Sequence, residues 1–156
     1  MAPTTSMTST QLAAWRNLLR AHAEVVDRLS TELAETHDLP ISWYEVLLYL
    51  REAPDGRLRM HELADSLLVS RSAATRFIDR MEDAGLVTRQ VCPSDRRGMD
   101  VVLTAEGRRI FSEAAPTHLA GIERHFAAHV DEDEARVLAD VLERIAEAVR
   151  ADNGDG

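Results

Sequence analysis

Residues 57–103 read RLRMHELADSLLVSRSAATRFIDRMEDAGLVTRQVCPSDRRGMDVVL. Segments 60–67 and 71–84 carry helical patterns, with Leu68–Ser70 as the tight turn between them. In the second segment Ala74, Phe77, Ile78 and Met81 recur at i, i+3, i+4 and i+7, which places one face against a core. Ser72, Thr75, Arg76, Asp79, Arg80 and Asp83 share the opposite face. Ser70 is the expected N-cap, because its hydroxyl can satisfy an orphan amide of the first turn. Gly85 stands where a residue of positive φ commonly closes a helix. Two β-like runs, 87–91 and 99–103, then flank the basic tip ProSerAspArgArgGly of residues 93–98.

The amino-terminal part of the polar helix face is small and basic: Arg71, Ser72, Ala73, Thr75 and Arg76. Small side chains permit close approach to a DNA groove, and Arg or hydroxyl groups can meet base edges and phosphates. The helix terminus adds its own attraction for anions. At the hairpin tip, Asp95 stands two residues before Arg97 and can hold it extended for a narrow, electronegative minor groove. An ordinary solvated helix face and a generic type I turn are the plain alternatives. Helix, turn and hairpin together favour a DNA-binding module.

The chain of 156 residues suits one domain with a real core. Its net charge of −9 argues against nucleic acid until its distribution is considered. Residues 57–103 hold eight Arg against seven acids, a balance of +1, and the remainder holds ten Arg against twenty acids, a balance of −10. The acid is therefore carried by the flanking segments, and the centre can still show a basic face. No run is long enough for a membrane span. The start lacks the charged and apolar regions of a secretory signal, so the cytoplasm, at the nucleoid, is the expected location. One cysteine, Cys92, excludes an intrachain disulfide and is expected to be an inert surface thiol.

Outside the centre, residues 10–36 predict one long helix. Leu12, Trp15, Leu19, His22, Val26, Leu29 and Leu33 form a 3,4 stripe that wants partner helices, including those of a second subunit. Residues 41–52 predict a second helix, with Ser42 and Glu45 spaced as a capping box. Arg57–Arg59 is a candidate short strand. Thr104 should cap a helix over 105–127 kinked by Pro116. Asp131 and Glu134 should open a last helix, 132–150, burying Leu138, Val141, Leu142, Ile145 and Val149. Residues 1–9 and 151–156 read as a disordered and a frayed tail. The expected fold is mainly α (α+β): a winged helix-turn-helix region over 41–103, with 10–36 and 105–150 forming a helical dimerisation region.

GluLeuAla (62–64), ThrArg (75–76), AspArgMetGlu (79–82), GlyLeuVal (85–87), Arg89, AspArgArg (95–97) and LeuThr…Gly (103–107) together resemble the MarR family of bacterial winged-helix regulators. The resemblance implies a homodimer built from the first and last helices, palindromic DNA sites, a recognition helix in the major groove and a wing arginine in the minor groove. It assigns DNA contact to Ser72, Thr75, Arg76, Arg80, Arg89 and Arg97, with Asp95 orienting Arg97; Arg71, Ala73 and Arg96 join them from the residue reading. Pro40 departs from the Thr helix cap of many members. The resemblance also implies a pocket for a small aromatic or phenolic effector, for which Trp15, Arg20, His22, Trp43 and Tyr44 are candidates. No cofactor is expected. His125 and His129, at helical i, i+4 spacing, are weak metal candidates. No GxSxG, P-loop, HExxH or GxGxxG motif occurs, so an enzyme is not expected. The reading is a ligand-responsive repressor; a winged helix used for protein contact, or a zinc- or redox-responsive regulator, are the alternatives.

Overall fold

The computed structural model describes residues 7–67 and 69–153, and for Arg96 the backbone alone. The tails expected at 1–6 and 154–156, Leu68 of the turn and the proposed DNA contact of Arg96 lie outside the described residues. The elements in order are α1 (Ser9–His37), α2 (Ile41–Glu52), β1 (Arg57–Arg59), α3 (Met60–Ser66), α4 (Arg71–Asp83), β2 (Val87–Cys92), β3 (Asp95–Leu103), α5 (Ala105–His125) and α6 (Glu132–Asn153). Short 3₁₀ turns at Pro54–Gly56 and Ala127–His129 complete the connections. No helix among the described residues is long and apolar enough to cross a membrane.

Helix ends follow local chemistry, with corrections. Thr8 and Gln11 form a reciprocal capping box that starts α1, so the ordered chain reaches into the expected tail. Asp38 ends α1 in the left-handed region at φ 51°, which Asp tolerates better than most residues. The expected Ser42–Glu45 box does not form. Extended Pro40 takes the N-cap position without a side-chain hydrogen bond, and Ser42 lies inside α2. Proline suits this place because it has no amide hydrogen to leave unsatisfied. Ser70 Oγ accepts from the Ala73 amide at 3.2 Å, as expected for the cap of α4. Asp131 and Glu134 accept reciprocally from each other's amides at 2.9 and 3.0 Å. α5 runs through Pro116 as one element but ends at His125 rather than 127. α6 continues to Asn153, three residues beyond its expected end.

The three strands form an antiparallel sheet in the order β1-β3-β2. Arg57, Leu58 and Arg59 pair with Val102, Val101 and Asp100. The β2–β3 ladder runs regularly from Val87↔Leu103 to Val91↔Met99, then shifts so that Cys92 faces Asp95. The hairpin is therefore longer and tighter than expected: only Pro93 and Ser94 lie between the strands, and residues 96–98 form a bulge.

One core unites α2, α4, the sheet and the inner ends of α1 and α5. Leu33, Val46, Leu47, Leu50, Leu63, Ile78, Met81, Val87 and Val101 are fully buried in it. α2 is the central piece, burying Tyr44, Val46, Leu47 and Leu50. Leu103 and Ala114 carry the same core toward α5. α1 and α5 pack together outside this core, with Gly121 against Leu29 and Glu32.

α6 differs from every other helix. It has little contact with the rest of its own chain, and Leu138, Leu142, Ile145 and Val149, expected to be buried, are exposed. Trp15 and Leu19 of the α1 stripe are about half exposed as well, at 54% and 50%. Only Leu29 and Leu33 of that stripe are buried, and of the two only Leu33 belongs to the central core. An apolar stripe of this length standing in water needs a partner surface.

Candidate nucleic-acid interface

α4 is held to the core along one face. Ala74, Ile78 and Met81 are buried without residual exposure, so the opposite face must look outward. Arg71, Ser72, Thr75, Arg76 and Arg80 are exposed there, and Ala73 is half-buried. Thr75 donates its hydroxyl to the Arg71 carbonyl at 2.8 Å, which leaves the oxygen lone pairs available outward. Ser72 and Ser70 hydroxyls lie 3.1 Å apart at the helix start. Among the described residues, Arg71, Arg76, Arg80 and Arg97 form no ion pair. These guanidiniums, exposed and uncommitted, stand on a chain whose net charge is −9.

Arg89, also expected to contact DNA, is a different case, because its guanidinium is ion-paired within the chain. Its Nη1 lies 2.6 Å from Glu82 Oε2, its Nη2 meets Asp79 Oδ1, and its amide donates to Glu82 Oε1 at 2.8 Å. The Arg89 amide, then its guanidinium, holds the Glu82 carboxyl below the usual range. Arg89 thus braces β2 against the outer side of α4. Its planar fork, which suits phosphate, is already matched by two carboxylates.

At the wing, Asp95 does orient the Arg97 segment, but through the backbone. Asp95 Oδ1 accepts from the Arg97 amide at 3.0 Å, an Asx-type turn. Its other oxygen, Oδ2, is taken by Arg59 Nη1 of β1 at 3.2 Å. The Arg97 amide and then Arg59 hold the Asp95 carboxyl below its ordinary range. Arg59 was not foreseen as part of the wing; 36 residues separate it from Asp95, and no local pattern links them. Cys92, expected at the surface, is buried at 7% exposure. Its thiol touches Ser94 Oγ and Arg59 Nη2, both at 3.3 Å.

The candidate effector residues do not assemble into one site in the single chain. Trp15, Arg20 and His22 are exposed along α1, whereas Trp43 packs against the core and Tyr44 is buried in it. The Tyr44 ring stacks on Phe111 with centroids 5.2 Å apart and meets the His118 ring at a 41° tilt, with centroids 4.3 Å apart. Phe111 and His118 were missed, although both lie on the inner stripe of α5 with Ala114. This cluster joins the helix-turn-helix region to α5.

His118 Nδ1 is buried without a hydrogen-bond partner among the described residues, and burial pushes the imidazole below the ordinary histidine range. The unfolded chain therefore binds this proton more readily than the folded one. Stability is fully present above the ordinary value of 6.5 and is lost as pH falls through the lower folded value. The melting temperature should drop between pH 7.5 and 5.5, and His118→Phe should flatten that slope. An unchanged slope in calorimetry would place the sensitivity elsewhere.

The metal expectation finds little geometric support. α5 ends at His125, and His129 lies in the following 3₁₀ turn, so the two do not share one helix face. His125 Nε2 instead lies 2.7 Å from Glu32 Oε1 of α1. Both histidines border a surface pocket of about 370 Å³ with Glu24, Val25, Asp27 and Arg28. Among the described residues, no group of three or more His, Cys, Asp or Glu could hold a metal.

A helix-turn-helix followed by a β-hairpin, with arginines clear of ion pairs on the second helix and on the hairpin, defines a winged helix-turn-helix protein. Comparison with known proteins narrows this. The MarR family model matches residues 37–98, from the end of α1 to the wing tip. AbsC, a MarR family transcriptional regulator of Streptomyces coelicolor, shares 36% identity over 95% of this chain and 99% of its own, with a TM-score of 0.87. Sco3205, a regulator of the same family and organism solved in complex with DNA, shares 30% identity over 91% of this chain and 89% of its own, with a TM-score of 0.85. CouR of Rhodococcus jostii RHA1, solved with p-coumaroyl-CoA, shares 28% identity over 83% of this chain and 88% of its own, with a TM-score of 0.74. The chain belongs to the MarR family of transcriptional regulators, which are not enzymes.

Proposed function

We propose that this protein is a homodimeric, sequence-specific repressor that binds a palindromic operator and is released by a small molecule. The observation that carries the reading is the set of uncommitted guanidiniums, Arg71, Arg76 and Arg80 on α4 and Arg97 on the wing, against an acidic chain. Residues 41–103 form the DNA-binding region, and residues 10–36 and 105–150 form the dimerisation region. α4 enters the major groove, where Arg76 and Arg80 meet base edges or phosphate and Ser72, Ala73 and Thr75 allow close approach. Arg71 sits at the helix start beside the phosphate backbone. The wing carries Arg97, with Arg96 beside it, into the flanking minor groove. Two-fold symmetry sets the paired α4 helices about 34–36 Å apart, one turn of DNA. Acting on DNA, the protein works at the nucleoid, in the cytoplasm.

The effector is read as a small aromatic or phenolic compound. CouR, bound to an aromatic acyl thioester, supports that class. Trp43 and Tyr44 sit where α2 meets α5, and Trp15, Arg20 and His22 lie on the exposed face of α1 that a second subunit would cover. A ligand wedged between these layers acts only through a difference in affinity for the two dimer geometries.

Selection of random-sequence duplexes on the wild-type protein should recover an inverted repeat. On that duplex Arg97→Ala or Arg76→Ala should each cost about 1–3 kcal/mol of affinity at fixed salt. Binding should also weaken steeply as salt rises. No enrichment of any duplex, or affinity indifferent to salt, would instead indicate a winged helix that serves protein contact.

A further inference from the structure

We infer that Arg59 is a positioning residue for DNA binding: from β1 its guanidinium latches the wing tip through Asp95 and so presents Arg97 in one geometry. The inference rests on the proposed role of Arg97 in the minor groove. It comes from what backbone pairing leaves undone at the tip. Cys92 pairs with Asp95 and Val91 with Met99, so residues 96–98 have no cross-strand partner in β2. Sheet hydrogen bonding therefore does not fix Arg97. The Asp95 carboxylate does so in its place, with Oδ1 on the Arg97 amide at 3.0 Å. A carboxylate held by one oxygen can rotate about its terminal torsion. Arg59 Nη1 on Oδ2 at 3.2 Å removes that freedom.

Arg59 is itself anchored. Its backbone pairs with Asp100 of β3, its amide donates to Glu62 Oε2 at 2.9 Å, and its Nη2 rests 3.3 Å from Cys92 Sγ. Gly98 belongs to the same device. A Cβ at that position would come within 2.7 Å of Arg59 Nη1 and 3.3 Å of Cζ. The absent side chain is what lets the guanidinium lie across the bulge.

The partly exposed Arg59–Asp95 pair contributes little to stability. Its effect should be on binding, because a probe already held in place loses less freedom on entering a groove. A flexible guanidinium can yield to a new methyl group more cheaply than backbone can. Gly98→Ala should therefore open the latch while leaving the fold intact.

The test uses the inverted-repeat duplex recovered with wild-type protein and measures affinity by fluorescence anisotropy at several salt concentrations. Arg59→Gln and Gly98→Ala should each weaken binding roughly threefold to tenfold, with the salt slope and the melting temperature unchanged. Arg59→Gln should add nothing further in an Arg97→Ala background, and Arg59→Lys should restore part of the loss. If Arg97→Ala weakens binding while Arg59→Gln and Gly98→Ala bind as wild type, the latch is refuted and the wing reading stands. If Arg59→Gln lowers the salt slope by about one and its loss adds fully to that of Arg97→Ala, Arg59 contacts phosphate itself and the latch is wrong. If Arg97→Ala binds as wild type, the wing reading fails and takes the latch with it. Should Arg59→Gln not fold, Gly98→Ala still decides the matter.

Discussion

Ile145→Glu is expected to yield a monomer and to lower operator affinity by about 10²–10⁴-fold. Ile145 is half exposed in the single chain, on a helix stripe shared with Leu138, Leu142 and Val149. Burial of each such side chain is worth about 1.5–3 kcal/mol, so the stripe can hold two chains together only if it is covered. A carboxylate in its middle would have to be desolvated without a partner. Two DNA-binding regions on one dimer make the second contact intramolecular. Losing that linkage removes an avidity of about 10²–10⁴. Sedimentation equilibrium and anisotropy on one sample test both halves of the expectation. A variant that stays dimeric would show that α6 is not the interface.

Gly107→Ala is expected to destabilise the fold by roughly 3 kcal/mol, at the upper end of the cost of overpacking. For a chain of this size, that lowers the melting temperature by about 6–12 °C. Gly107 lies in the first turn of α5, where a Cβ would stand 2.2 Å from the Leu86 carbonyl oxygen and 2.7 Å from Leu103 Cδ1. The obstacle is backbone, and it cannot swing aside. The same Leu86 oxygen accepts from the Thr104 amide at 3.2 Å and lies 2.9 Å from the Thr104 hydroxyl. Pushing it away would loosen the joint between α5 and the α4–β2 turn. Gly85→Ala makes the contrast: its position has open space but φ of +75°, so only backbone strain of about 1–2 kcal/mol applies. If Gly107→Ala melts within two degrees or so of wild type, the close approach at this joint has been misread.

The two glycines illustrate where sequence reading succeeds. Gly85 is recognisable because a helix pattern ends there, and a C′ position needs positive φ. The role of Gly107 depends on Leu86, twenty-one residues away, and only folding brings them together. α4 was largely legible: Ala74, Ile78 and Met81 face the core, Ser70 caps the helix and its arginines are exposed, whereas Phe77, read with the core face, is only half-buried. The Asp131–Glu134 box and β1 were legible for the same reason. The α2 cap was misread because the helix begins two residues earlier than the Ser42–Glu45 spacing suggests: extended Pro40 is the N-cap and Ser42 already lies inside the helix.

At the wing and in the flanking helices, local pattern misled more often. Arg89 looks identical in sequence to a groove-seeking arginine; only Asp79 and Glu82 across the α4–β2 junction reveal it as a brace. Cys92 follows exposed Gln90 and Val91, yet the register shift turns it inward beneath Arg59. The α6 stripe was read as buried, but Leu138, Leu142, Ile145 and Val149 are exposed, because a periodic apolar stripe does not say which surface covers it.

The order of elements, the inward and outward faces of α4 and the family itself were written in the chain, because hydrophobic period and capping chemistry act over three or four residues. Folding alone decided which guanidiniums stay uncommitted, that Arg59 reaches the wing, and that α6 stands bare. Those outcomes depend on carboxylates and apolar surfaces brought together from distant parts of the chain, and no local spacing encodes that meeting.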